Sequence, residues 1–354
     1  LSKGSGDIKI DCLNFQISIV IPCRNESLYI RECIDAIFGC QLPDSCGINV
    51  FVVDGMSNDG TRDIVNQLIS KYPNLHLIDN RKQLTPFAFN LGIHAGGTVD
   101  YVQIVGARHI LSANYLINCF NRLETEKSTW CVGGKIRNEY INGTGRVISK
   151  AMSTAFGMGL GNFRTLEQSG FTDTVTSPMY PYWVFEKIGF FDEELIRNQD
   201  DDFNYRITKE GGKIYFDNDI SLKYYVRGNY QGLWRQFFQY GYWKVFVNRK
   251  HNAVTTLRQL APPFFVAYLT ILLLTTLFSI KLACLFGIPL LIYIFMAFYY
   301  GFKVVKNDKN IQLFSVIKTF PILHVSYGLG YLKGILEFIL LRKKPSEKQK
   351  RLSR

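Results

Sequence analysis

The sequence predicts an α/β protein whose first part is a doubly wound sheet and whose C-terminal part is a set of apolar helices. Three observations carry this. Continuous β-branched runs such as "ISIVIP" (17–22) recur, as buried parallel strands require. Each run ends in a polar turn and is followed by apolar residues at helical spacing. Residues 260–302 are then nearly free of charge, unlike the first 250.

Taken in order, "ISIVIP" is a strand ended by Pro22, and Ile30, Cys33, Ile34 and Ile37 mark the helix after it. A second strand spans 48–53 and runs into a glycine-containing turn. Its helix carries Ile64, Val65, Leu68 and Ile69 on one face. "NLHLID" is a third strand, 84–95 a helix, and "DYVQIV" (100–105) a fourth strand. In such sheets ligands bind in the crevice beyond the strand C-termini. The residues to watch are therefore Arg24, Asn25 and Glu26, then Asp54, Ser57 and Asp59, then 105–109.

The chain has 354 residues, enough for about two domains, and a net charge of +12. "PPFFVAYLTILLLTTLFSI" and "LACLFGIPLLIYIFMAFYYGF", with Lys281 between them, each have the length that crosses a hydrocarbon core. Buried core helices are the competing explanation. Basic residues flank this hairpin on both sides, which directs both flanks to the cytoplasm and suits anionic headgroups or a lipid phosphate. They track the membrane segments rather than a fold face, which argues against nucleic acid as a partner. The opening "LSKGSGDIKIDCLNF" has no apolar signal region, so residues 1–250 are expected in the cytoplasm. The eight cysteines form no CxxC pair, which fits a reducing compartment and argues against a structural zinc site. The expected organisation is a domain over 1–230 and an amphipathic juxtamembrane segment over 231–259. A membrane region follows over 260–341, with spans 260–280 and 282–302 and an interfacial or re-entrant segment 311–341. A basic tail, 342–354, closes the chain.

"SIVIPCRNE" followed by "VFVVDGMSNDGT" resembles the opening of family 2 glycosyltransferases, which have the GT-A nucleotide-sugar-binding, Rossmann-like fold. The likeness continues through "FNLGIHAGG", "STAFGMGLGNFR" and "RNQDDDFNYR". With the segments "LWRQFFQYGYWKVFVNRK" and "HVSYGLGYLKG" it is similar to membrane-anchored bacterial transferases of the succinoglycan-biosynthesis type. The resemblance implies an inverting transfer from a nucleotide-diphosphate sugar to a lipid-linked glycan acceptor. It places the enzyme at the inner membrane, with its catalytic domain cytoplasmic. The alternative is an inactive GT-A-fold scaffold or assembly subunit. Nucleotidyl transfer is disfavoured because the first strand lacks a GxG-type loop.

By resemblance, Pro22, Arg24 and Glu26 line the nucleotide pocket and Asp54 accepts from the base, a role open to a carboxylate at the crevice. Capping is an equal explanation for Asn25 or Ser27, and turn chemistry a better one for Asp59. In "RNQDDDFNYR" Gln199 stands where the family has Glu, and Asp200 matches the family's Asp. An inverting transfer needs a base for the acceptor hydroxyl, and a carboxylate raised by neighbouring carboxylates suits it. Asp200 is the expected base, with Asp201 and Asp202 as fallbacks. Arg164, at the end of the glycine-rich loop, could meet a phosphate. Asp173, Thr174, Arg206, Gln236 and Trp243 join it on the acceptor side by resemblance. Residues 235–250 are expected to be an anchor first, with Trp234, Tyr240, Tyr242 and Trp243 at headgroup level.

One departure stands out. At the corner where the family carries metal-binding aspartates, this chain has Val105 and Ala107, which offer no side-chain oxygen to a hard cation. Either the protein is inactive, or other carboxylates (Asp100 or 200–202) hold a Mg or Mn ion with waters, or Arg108 and His109 neutralise the leaving diphosphate.

Overall fold

The structure is a computed structural model and describes residues 15–159 and 165–345. Strand β1 (Phe15–Cys23), helix α1 (Ile30–Phe38), β2 (Cys46–Asp54), α2 (Thr61–Ile69), β3 (Leu75–Asp79), α3 (Thr85–Gly96) and β4 (Tyr101–Ile104) follow the sequence expectation closely. β1 runs parallel to β2 and β4, and β2 parallel to β3. The order β3-β2-β1-β4 puts every loop after a strand at one edge. β1 reads as a continuous apolar run because it is buried on both faces: Ile19, Val20 and Ile21 are fully enclosed. Gly92 lets α3 lie close against the sheet, since a Cβ there would stand 2.4 Å from Val20.

The sheet then turns mixed. β5 (His109–Leu111), α4 (Tyr115–Thr125), β6 (Thr129–Glu139), α5 (Gly143–Met152), α6 (Ala155–Met158), β7 (Gly170–Thr172), β8 (Thr176–Pro181), α7 (Trp183–Ile188), α8 (Gln199–Lys209) and β9 (Lys213–Tyr225) complete it. The full order is β3-β2-β1-β4-β8-β6-β9-β5, with β7 beside β9. β8 is antiparallel to β4. Two apolar cores cover the two faces. One is built with α1, α2 and α4, the other with α3, α7 and α8.

The remainder is helical: α9 (Tyr230–His251), a 3-10 turn (Leu257–Leu260), α10 (Ala261–Phe278), α11 (Ile280–Phe286), α12 (Ile288–Asn307) and α13 (Leu313–Gly334), ending in a π turn (Ile335–Leu340). Leu257–Phe278 and Ile288–Asn307 are long and apolar enough to cross a membrane. Large apolar side chains such as Leu277, Phe278, Leu291 and Phe295 project outward from this hairpin.

Two expectations are corrected here. The segment 235–250 is not a one-sided surface helix, because α9 is gripped from both sides: Tyr242 and Trp243 are 5% and 1% exposed and sit in a core with Leu195, Ile196 and Phe338. Of the two forms expected for 311–341, interfacial or re-entrant, the re-entrant one is not seen: 313–334 is one continuous helix packed against α9 and α10. Small residues make this contact possible. A Cβ on Gly241 would stand 2.0 Å from the Tyr327 carbonyl oxygen, and one on Gly330 2.0 Å from that of Phe238. At the other side of the molecule Arg146 on α5 grips Asp308 with two bonds of 2.8 Å. Phe156 on α6 packs edge-on against Phe320 and stacks on Tyr300. The basic tail beyond 345 lies outside the described residues.

Candidate active site

The loops after β1, β2, β3 and β4 meet in one crevice and are stitched to each other. Asn25, in the left-handed region at φ 53°, receives Asn58 N–H on its side-chain oxygen and donates its own N–H to Ser57 Oγ. Glu26 N–H reaches Thr61 Oγ1 at 2.9 Å. Asp59 accepts from Thr61 and from Ser27 N–H. Burial works to raise its carboxyl, but those hydrogen bonds prevail and hold it at about 2. This is the turn role that Asn58-Asp59-Gly60 implies.

Asp54 is fully enclosed. Its carboxylate takes Ser57 N–H, the Ser57 hydroxyl and Arg62, which also bridges to Asp79 at 2.8 Å. It builds the floor of the crevice before it meets any ligand. Pro22, the last residue but one of β1, is level with Val53, and Cys23 is level with Asp54. Arg24 presents a different situation: its Nη1 is sealed from solvent and has no partner among the described residues. A shielded guanidinium N–H without an acceptor is costly unless a ligand supplies one.

The corner after β4 has a clear division of faces. Val105 and Ala107 point into the apolar core, at 0% and 6% exposure. Arg108 points to the crevice. Its Nε donates to Glu26 at 2.7 Å and its guanidinium lies 4.6 Å over the Tyr29 ring. Glu26 is raised, first by burial, against the lowering pull of Arg108. His109 Nδ1 shares a 2.6 Å hydrogen bond with Ser177 Oγ. No group of three or more His, Cys, Asp or Glu side chains among the described residues is placed to hold a metal. The donor set at this corner does not fit a hard divalent ion, which needs several oxygens.

Across the crevice stands the start of α8, where Asn198 turns the chain at φ 60°. Its three successive aspartates have three different fates. Asp202 is 2% exposed and held by Arg206 at 3.0 Å and His251 at 2.8 Å. Asp201 pairs at 2.9 Å with Lys244, a lysine only 4% exposed. Asp200 has no ion pair among the described residues and remains open to solvent. Protein around it strips hydration and Asp201 repels it, so its carboxyl rises to about 6 despite the pull of Lys244. Of the three, Asp200 alone has no ion pair among the described residues, whereas Asp201 and Asp202 are both engaged.

Arg206 is not open to an acceptor. Besides Asp202 it donates to the carbonyls of Ile188, Gly189 and Phe190 and so clamps α7 to α8. Trp243 is likewise a core residue. Asp173 pairs with Arg258 at 2.9 Å, and Thr174 accepts from Asn204. Together with Asp201 and Thr255, Asp173 borders a small cavity of about 30 Å³. Gln236 donates to Tyr240 on its own helix. Arg164 lies outside the described residues. A larger cavity, about 340 Å³, lies at the opposite end of the sheet by Asp100, Tyr101 and Trp183, away from the crevice.

The sequence reading missed Lys244 and His251, which it left in the juxtamembrane segment. They stand two helical turns apart, so they share one face of α9, and that spacing was the available signal.

A parallel half-sheet whose post-strand loops meet in one crevice, continued by a mixed sheet and helices, is the architecture of the GT-A fold. Residues 18–187 match the model for glycosyl transferase family 2. The chain is 31% identical over 245 residues to a dolichyl N-acetyl-α-D-glucosaminyl phosphate 3-β-D-2,3-diacetamido-2,3-dideoxy-β-D-glucuronosyltransferase of Methanococcus voltae, covering 67% of this chain and 75% of that one. It is 27% identical over 249 residues to the succinoglycan biosynthesis protein ExoA of Rhizobium meliloti, covering 69% and 73%. Among solved structures it is similar to the mannosyltransferase PcManGT of Pyrobaculum calidifontis, solved with GDP-Man and Mn²⁺, with a TM-score of 0.61 and 16% identity over 91% of this chain and 87% of that one. The chain belongs to glycosyltransferase family 2, and it is a transferase.

Proposed function

We propose that the protein moves one sugar from a nucleotide-diphosphate donor to a lipid-linked glycan acceptor, with inversion, at the cytoplasmic face of the inner membrane. The observation that carries this is Asp200: a carboxylate at the start of α8 with no ion pair among the described residues, raised to about 6. As base it takes the proton of the acceptor hydroxyl. That oxygen forms the new bond to the anomeric carbon while the bond to the diphosphate breaks on the opposite side. The proton ends on Asp200 and the negative charge on the diphosphate.

Pro22, Arg24, Glu26, Asp54, Arg108 and His109 form the donor side. Arg24 and Arg108 offer guanidinium donors to the diphosphate, and Arg108 reaches it by sharing or releasing Glu26. Asp173, Thr174 and Gln236 form the acceptor side. α10 and α12 anchor the protein by their outward apolar faces, and the M. voltae relative, whose name gives a dolichyl-linked acceptor, supports a lipid carrier. A divalent ion is not required by any residue at the corner.

The test is release of nucleoside diphosphate by purified protein from a panel of nucleotide sugars, with and without EDTA. Turnover that survives EDTA and collapses in Arg108→Ala is expected. Full dependence on Mn²⁺ or Mg²⁺ defeats the arginine chemistry, and no turnover of any donor favours the scaffold alternative.

A further inference from the structure

The larger of the two cavities plays no part in the transfer chemistry. It lies at the opposite end of the sheet from the crevice and encloses about 340 Å³, within the range of roughly 300–1,000 Å³ for small-molecule sites. Three elements build it. The start of β4 is joined to the end of β8: Tyr101 is level with Pro181, and Tyr182 N–H bonds to the Asp100 carbonyl at 2.9 Å. The end of α4 brings Glu124, which accepts from the Tyr101 hydroxyl and from Lys127, the latter at 3.2 Å. α7 brings Trp183 and Glu186, three residues apart and so on one face of the helix.

The lining leaves two groups unsatisfied. Trp183 is 42% exposed, although its ring is held edge-on to the buried Trp130 at 5.0 Å between centroids. An indole held in place and left uncovered offers a flat apolar face to a ligand. Thr129, 2% exposed, lines the same cavity, and its hydroxyl has no partner among the described residues. A buried hydroxyl without a partner is costly unless a bound group supplies one. The charge balance narrows the choice of ligand. Three carboxylates, Asp100, Glu124 and Glu186, stand against one lysine, Lys127, which disfavours phosphates and other anions. Lys127 works against a cation in turn, and Lys187 already lies 4.6 Å over the Trp130 ring. An uncharged ligand with hydroxyls for the carboxylates and a C–H face for the indole fits best.

We propose that this cavity is a second, non-catalytic carbohydrate site that takes one uncharged sugar unit of a glycan. Trp183 carries the C–H face of the sugar, and Glu186 with Asp100 accepts from its hydroxyls. Asp100 Oδ2 is already held by Gln16 N–H at 2.7 Å, whereas Glu186 has no ion pair among the described residues and is the stronger determinant. Away from the crevice, the site holds glycan without competing with the nucleotide-sugar donor. The proposal stands on membership of a glycosyltransferase family, not on Asp200 or on the arginine chemistry.

Saturation-transfer NMR on the full chain in detergent tests it. The probes are the methyl glycosides of glucose, galactose, mannose and N-acetylglucosamine, with UDP and GDP in excess to keep the crevice filled. At least one glycoside should bind, with a Kd on the order of millimolar. Binding should be about tenfold weaker in Trp183→Ala and in Glu186→Gln. Both positions are exposed, so release of nucleoside diphosphate should stay at the wild-type rate. Where Trp183→Ala melts lower, Glu186→Gln, which leaves the aromatic pair intact, carries the test. Glycoside binding that both variants leave unchanged, or no binding of any of the four, overturns the proposal. Binding of tetramethylammonium in place of the glycosides, lost in Trp183→Ala, makes the cavity a cation site and overturns it as well.

Discussion

Replacing Asp200 by Asn should remove catalysis and stabilise the fold, and the second effect is as informative as the first. The side chain keeps its size and loses its charge. A general base contributes about 10²–10⁴-fold, so transfer should fall by about 10³-fold. The stability change follows from the raised carboxyl. Moving an aspartate from 3.8 to about 6 corresponds to about 3 kcal/mol of disfavoured charge. Because Asp200 is open to solvent, screening reduces this to about 1 kcal/mol. The folded carboxyl holds its proton more tightly than the unfolded one, so wild type loses this stability as pH rises from about 4 through 6. The gain in Asp200→Asn is therefore complete above about pH 7 and absent near pH 4. Thermal melting of both proteins at pH 5 and pH 8, beside a transfer assay, reads both effects. The wild-type kcat/KM should also rise with pH, with a midpoint near 6. Transfer within tenfold of wild type, or a melting difference that does not grow with pH, would refute the assignment of Asp200.

Lys244→Met leaves Asp201 without its cation and removes the charge that lowers Asp200. The acid limb of kcat/KM should move to higher pH, and Lys244→Arg should restore it; an unmoved limb would disconnect α9 from the base. Gly330→Ala drives a methyl into the Phe238 carbonyl and should cost about 1–3 kcal/mol or more, seen as a lower melting point, whereas Gly143→Ala meets open space and should melt like wild type.

The parallel half of the sheet was legible because buried parallel strands write themselves as unbroken apolar runs, as β1 and β2 do. The antiparallel half was harder to read. β6, "TWCVGGKIRNE", and β9, "KIYFDNDISLKYY", mix polar and glycine residues with apolar ones and have register shifts where they pair. At the site, the three aspartates at the start of α8 were legible from their motif. Their partners were harder to read: Lys244 and His251 reach Asp201 and Asp202 from more than forty residues away, and beyond their shared helical spacing nothing in the sequence pairs them with α8, because an aromatic, basic helix has the same composition whether it seeks headgroups or grips a neighbouring helix. The Gly241 and Gly330 contacts decide the matter in three dimensions only.

The corner after β4 also bears on how this chain could change over time. Val105 and Ala107 are part of the packing between α1 and the sheet, so an aspartate at either position would place a charge among Ile30, Cys33 and Leu111 rather than in the crevice. A metal-binding corner at these two positions would take a rebuilt interior as well as new side chains. Under the proposed function, the packing of the core and the arginine chemistry thus constrain the same short stretch, 105–109.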